Sequence, residues 1–365
     1  MTPDKKPRIG ITHGDTNGIG YEVILKTLED SRILELCTPI VYGSGRMASY
    51  HRKGMDLAAV NFITREDAAD AAEDEYTIIN VVPDDVKIDM GQATPAAGQA
   101  AFAALERAVA DLRDGKIDAL VTAPINKHSI QSEAFSFPGH TEYLESMAGD
   151  GSKALMIMVA GNLRVALATV HIPVSKIAST LTRELVASKI KALDASLRRD
   201  FGIVRPRIAV LSLNPHAGEN GLLGPEESDV ISPAIFDVSL EKIGAYGPYS
   251  ADGFFGSGQW THFDGVLAMY HDQGLVPFKT IAMDSGVNFT AGLPFIRTSP
   301  DHGTGYDIAG KGVASPDSMR AAIYEAIDIA RRREAHTERT ANPLGKHYHE
   351  RSRHDASVDL SKSDD

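Results

Sequence analysis

The sequence predicts an α/β architecture built on a mixed or parallel sheet, and three observations lead there. Short apolar runs alternate with longer stretches of helical periodicity through about residue 333 of the 365, the pattern of strands joined through helices. Three of those runs, LRVALATVHIP, RIAVLSLNPHAGE and FDGVLAMYHDQG, each lead into a histidine where a strand would end. The composition, 43% hydrophobic and 24% charged, is ordinary for a globular chain that buries a large core.

Taken in order, RIGIT (8–12) is the first strand, and GDTNGIGYE (14–22) turns from it into a helix. Further strands are predicted over 38–42 and 76–82. The alanine-rich segment 96–114 carries Phe102, Leu105, Val109 and Leu112 at helical spacing, and Gly115 stops it,. A strand at 119–123 leads into PINK. The apolar stretch from Ala154 to Pro173 is broken by Gly161, Asn162 and Arg164, so it reads as two strands, 155–159 and 164–169, rather than a membrane span. Helix 183–200, strands 207–212 and 265–269, and helix 316–333 complete the pattern. Residues 1–333 then form one catalytic unit. The charged tail 334–365 carries His336, His347, His349 and His354 and is expected to fray or to lie on a partner's surface.

A formal charge of −12 argues against nucleic acid as the main partner, because phosphate backbones need a basic face. It leaves room for a basic pocket holding a small anion. One cysteine, Cys37, permits no intrachain disulfide, which fits a reducing cytoplasm. The amino-terminal residues lack the apolar stretch of a signal peptide.

Chemistry concentrates in a few places. His171, His216 and His271 share one context, the carboxyl end of a strand, where open α/β sheets bind ligands. Spacings of 45 and 55 residues exclude a zinc finger, and ligands from separate strands suit a catalytic metal with open positions. Glu219 and Asp272 are nearby candidates to orient the imidazoles. In PGHTEYL, His140 and Thr141 either grip a phosphate or carboxylate at a helix start or, for Thr141, simply cap the helix. Lys279, Asn288 and Arg297 punctuate an otherwise apolar stretch, and together they can bind a phosphate and a carboxylate. Solvated loop residues are the plainer alternative. GDTNGIGYE lacks the spacing of a dinucleotide fingerprint. DHGTGYDIAGKG (301–312) can cradle an adenosine or a phosphate on freed amides, or be a surface turn.

The ordered segments GDTNGIGYE, VTAPINK, PGHTEYL, ATVHIP, LNPHAGE, YHDQGL, GVNFTAGLPFIRTS and DHGTGYDIAG resemble the 4-hydroxythreonine-4-phosphate dehydrogenases over roughly residues 8–333. The resemblance implies the fold of isocitrate and isopropylmalate dehydrogenases: α/β/α, two lobes, the active site in the cleft. It implies NAD, with NADP possible, and one divalent metal, zinc or else magnesium, manganese or cobalt. His171, His216 and His271 would ligate the metal, and His140, Thr141, Lys279, Asn288 and Arg297 would contact substrate. His302, Gly303, Thr304 and Asp307 would hold the cofactor. A homodimer is implied, with the active site at the interface, ligands from both subunits, and His271 donated across.

The expected reaction is oxidative decarboxylation of 4-phosphohydroxy-L-threonine to 3-amino-2-oxopropyl phosphate. Asp252, Asp272 and Lys279 are its catalytic candidates. The chain departs from the family's usual wording at Thr16, Asn17, Tyr21, Phe137–Gly139 and Gly305, which bears on loop shape and cofactor preference. Rival readings are a paralogue oxidising 4-phosphoerythronate, 4-phosphothreonate or a cyclic dihydrodiol, a metal-dependent hydrolase, and a non-catalytic metal or nucleotide sensor.

Overall fold

In the computed structural model, residues 5–55, 57, 60–83, 85–133 and 135–342 are described. The strands are β1 (Arg8–Thr12), β2 (Thr38–Gly43), β3 (Phe62–Arg65), β4 (Tyr76–Asn80), β5 (Ala119–Thr122), β6 (Leu155–Ala160), β7 (Leu163–Leu167), β8 (Arg207–Leu211), β9 (Gly244–Tyr249), β10 (Gly265–Ala268), β11 (Val287–Ala291) and β12 (Arg297–Pro300). They form one sheet in the order β3-β4-β2-β1-β5-β12-β11-β6-β7-β10-β8-β9. The first six in that order run parallel, as do the last four. Between the two blocks β11 is antiparallel to both β12 and β6, and β6 is antiparallel to β7.

Eight helices of nine residues or more connect the strands among the described residues: α1 (Gly20–Leu28), α2 (Gly45–Met55), α3 (Pro95–Arg113), α4 (His140–Ala148), α5 (Arg183–Arg199), α6 (Ser232–Leu240), α7 (His271–Ala282) and α8 (Asp317–Ala341). Their starts follow ordinary capping chemistry. Thr94 accepts from the Ala97 N–H ahead of Pro95, and Thr182 accepts from the Leu185 N–H, each satisfying an amide that the first turn leaves free. The central parallel strands are buried, β2 over all six residues and β5 and β10 over all four, as expected where helices cover both faces of such a sheet.

All eight predicted strands are present, and the sheet is mixed. Four strands lie outside the prediction: β3, β9, β11 and β12. The last helix runs through the composition boundary at 333 to Ala341, taking His336 with it. His347, His349 and His354 lie outside the described residues. No helix among the described residues is long and apolar enough to cross a membrane.

Candidate active site

Three neighbouring parallel strands, β7, β10 and β8, deliver the three histidines to one edge of the sheet. His171 follows β7, His271 opens α7 directly after β10, and His216 follows β8. The rings of His171 and His271 lie 6.1 Å apart between centroids and face a common cavity of about 280 Å³. His216 lies in an adjoining cavity of about 670 Å³, and both cavities are walled by Tyr270 and Asp272. Among the described residues, no three His, Cys, Asp or Glu groups of the one chain converge to hold a metal.

The donor chemistry of the pair nevertheless fits a metal. Asp272 Oδ1 lies 2.7 Å from His271 Nδ1. A carboxylate accepts there, so Nδ1 carries the proton and Nε2 keeps its lone pair for a ligand. Burial, then the nearby Lys127 charge, lowers the His171 pKa, favouring the neutral imidazole that ligates. Of the two expected carboxylate orienters, Asp272 does this work. Glu219 is exposed within the His216 turn. Asp252 shares the His216 cavity. It accepts from Ser250 Oγ at 2.7 Å, a bond that lowers its pKa.

The turn that presents His216 is unusual. His216, Ala217, Gly218, Glu219 and Asn220 all have positive φ, between 44° and 77°. Only one of the five is glycine. A left-handed turn of L-residues costs about 1–2 kcal/mol per residue, so the surroundings must hold it.

A second cluster forms around a cavity of about 300 Å³, drawn from both halves of the chain. Thr122 ends β5, His140 opens α4, Lys279 projects from α7, and Asn288 and Arg297 belong to β11 and β12. Arg297 is 4% exposed. Its Nε and Nη2 donate to Thr122 Oγ1 at 3.0 and 2.7 Å, and Nη1 donates to Thr290 Oγ1 at 3.1 Å. Burial pulls its pKa down to about 10, so it stays charged at neutral pH. Its hydrogen-bond partners are two hydroxyls and an imidazole, and none of them neutralises it.

His140 Nδ1 sits 3.3 Å from Arg297 Nη2. A guanidinium only donates, so Nδ1 accepts and Nε2–H is the imidazole's donor. That Nε2 is buried without a partner. Burial, then Arg297 and Lys127, holds this histidine well below its ordinary pKa, so it is neutral. Lys279 pairs with Asp301 at 3.1 Å, while Asp301 Oδ2 and Asn288 Oδ1 are buried and unpartnered. Thr141 is the second residue of α4 and half-buried. The helix cap is Gly139, with no side-chain bond, so the capping role open to Thr141 is not used.

The glycine-rich loops meet each other. Ile19 N–H donates to Thr304 O at 2.9 Å, and Tyr306 OH donates to Asp15 Oδ2 at 2.7 Å. Gly305 has φ 57°, and a Cβ there would lie 2.9 Å from Ile19 Cδ1, which explains glycine at this departure from the family's wording. Asn17 stitches the first loop to the next segment through Asp89 N, Gln92 O and Thr94 Oγ1. His302 Nδ1 lies 3.0 Å from Gly303 O, and its Nε2 is buried without a partner. Gly303 walls the cationic cavity beside it, and Asp307 is exposed. Sequence reasoning did not single out Thr122, Lys127 and Asp301, which complete this cavity. Lys127 stood within VTAPINK; Thr122 shows its role only through its bonds to a residue 175 positions away.

Residues 35–326 match the pyridoxal phosphate biosynthetic protein PdxA family. A protein of Bacteroides thetaiotaomicron named 4-hydroxythreonine-4-phosphate dehydrogenase is 58% identical over 95% of each chain. The chain belongs to the PdxA family. A solved 4-hydroxythreonine-4-phosphate dehydrogenase from Klebsiella pneumoniae superposes with a TM-score of 0.79 at 35% identity, over 90% of this chain and 99% of that one. One family relative, from Oceanobacillus iheyensis, is 40% identical over 89% of this chain and 98% of its own, and is provisionally named a D-threonate 4-phosphate dehydrogenase. The family's fold is therefore this mixed α/β sheet, and its members by name oxidise phosphorylated hydroxy acids or amino acids.

Proposed function

We propose that the protein is an NAD- and divalent-metal-dependent dehydrogenase that oxidises and decarboxylates 4-phosphohydroxy-L-threonine, giving 3-amino-2-oxopropyl phosphate for pyridoxine 5′-phosphate synthesis. The observation that carries this reading is the buried Arg297 charge beside the His140 donor. Glu142 acts on this guanidinium through its charge, but no carboxylate is hydrogen-bonded to it, and a buried cation is more favourable when an anion completes its bonding. Arg297, His140 and Lys279 hold the substrate's phosphate and carboxylate, with Thr141 contributing from the first turn of α4. Asn288 fixes their orientation.

His171, His216 and His271 would hold the metal, whose charge would favour ionisation of the C3 hydroxyl and draw electron density as CO2 leaves. Asp272 orients His271. Asp252 accepts the hydroxyl proton while hydride passes from C3 to the nicotinamide, leaving a 3-keto acid that loses CO2. His302, Gly303, Thr304 and Asp307 contact the cofactor, NAD or NADP.

A second copy of the chain completes the metal site. The support is that His216 lies in a cavity beside, not within, the one shared by His171 and His271, and that apolar groups such as Phe236 and Leu240 on α6 and Val276 and Ile281 on α7 are exposed,. A reducing, cytoplasmic setting suits the single buried Cys37. The test is NADH absorbance at 340 nm with 4-phosphohydroxy-L-threonine or a 4-phosphorylated threonate or erythronate, with and without a chelator. Chelator-sensitive turnover of the amino acid is expected. Turnover of an acid alone would keep the chemistry and move the substrate, and no turnover of any would overturn the reading.

A further inference from the structure

Glu227 is the residue against which the His216 turn is built. It is 6% exposed and heads a five-residue π-helix, Glu227–Ile231. The wide π turn is a local irregularity that recurs at functional sites. Its carboxylate accepts three bonds from the two residues that enter the turn. Leu213 N–H and Asn214 N–H both reach Oε1 at 2.8 Å, and Asn214 Nδ2 reaches Oε2 at 3.0 Å. Glu226 Oε2 takes the other Asn214 Nδ2 bond at 2.7 Å. On the far side, a Cβ added to Gly218 would lie 2.5 Å from Glu227 Oε2. The one carboxylate thus pins the start of the left-handed run and packs against its middle.

The same segment is tied to the other histidines. Gln273, two residues after His271, donates from Nε2 to Ser212 O at 2.6 Å and accepts from Met269 N–H at 2.7 Å. The base of the His216 loop is therefore held from α7 and its turn from Glu227. We propose that Glu227 is the positioning residue of the metal site: it holds the strained left-handed turn and so fixes where the His216 imidazole is presented. The proposal rests on His216 being a ligand. It assigns the role to a residue that touches neither metal nor substrate.

Glu227→Gln keeps a carbonyl oxygen for the two backbone donors but sets its amide against Asn214 Nδ2, a donor facing a donor. The assay is binding of Zn2+ by competition with a chromophoric chelator, together with the visible spectrum of the Co2+ form, on the purified full chain. Loss of an outer partner that orients a ligand typically weakens metal binding by about 10- to 100-fold. That loss is expected for Glu227→Gln, with an altered Co2+ spectrum, a lower kcat and an unchanged substrate KM. If Glu227→Gln fails to fold, Asn214→Ala removes one of the three bonds and should weaken Zn2+ binding several-fold. His216→Ala separates the two ideas. Unchanged Zn2+ affinity in His216→Ala would defeat the ligand assignment itself. Weakened affinity there, with wild-type affinity and Co2+ spectrum in folded Glu227→Gln or Asn214→Ala, would overturn the role of Glu227.

Discussion

Arg297 is a cation that folding buries with no carboxylate among its hydrogen-bond partners; Glu142 acts on it only through its charge. Two threonine hydroxyls fix the plane of its guanidinium, and an imidazole shares one edge. A lysine carries the same charge but cannot span Thr122 and Thr290 together. Arg297→Lys is expected to lower kcat/KM by about 10- to 100-fold, the equivalent of roughly 1.5–3 kcal/mol for lost bonds to a charged group. Steady-state kinetics alongside a thermal melt would check it: an unchanged kcat/KM in a folded variant would remove Arg297 from substrate binding. The same bonding explains what was legible from sequence at this scale. Lys279, Asn288 and Arg297 stood out because polar residues broke an apolar stretch. Glu227 did not, because an acid among other acids in GPEESD gives no sign that its carboxylate faces inward.

Among the elements, those that sequence periodicity missed share a cause. β3 and β9 are the two edges of the sheet; β3 is only half-buried, and β9 carries Gly247 and Pro248. Neither needs the apolar run that marks a central strand. β11 and β12 are central, but they spend positions on Asn288, Thr290, Arg297 and Ser299, so the site itself erases their pattern. The packing of β1, α1 and α2 yields a prediction of its own. His13, Tyr21 and His51 stack with centroids 5.1 and 5.0 Å apart. Burial lowers both histidines from 6.5 to about 4. Below pH 6.5 the unfolded chain takes up these protons and the folded one does not, until about pH 4. Stability should therefore fall on acidification through that window, by about 1.4 kcal/mol per pH unit for each histidine. Urea midpoints at pH 7.5 and 5.5 would show it, and a midpoint that does not move would refute it. His51→Gln should flatten the slope.

The whole molecule is a sheet of two parallel blocks, and its class was visible in the alternation of runs. The reversal at β11 was not, since that strand gave no signal. The histidines' shared edge was also readable, but their spacing within one chain was not, because it depends on how β8 turns after its last residue. At this scale the second copy can be tested by mixing inactive variants. If His171 and His271 reach one metal from different copies, mixing unfolded and refolded His171→Ala with His271→Ala restores part of the NADH-forming activity. If His216 is instead the ligand given by the other copy, the His216→Ala mixtures with His171→Ala and with His271→Ala recover, and the first mixture does not. No recovery in any mixture would mean that each chain holds its own site.

The position of β12 also sets a timetable. It inserts beside β5, so the amino-terminal block closes only when residues 297–300 arrive. Thr122 waits 175 residues for its guanidinium. At about 5–20 residues per second, the ribosome takes roughly 10–35 s to supply it. Throughout that interval β5 offers an open edge to any extended peptide nearby, so a stalled or truncated chain ending before Arg297 would be prone to sticking and a natural client for a chaperone.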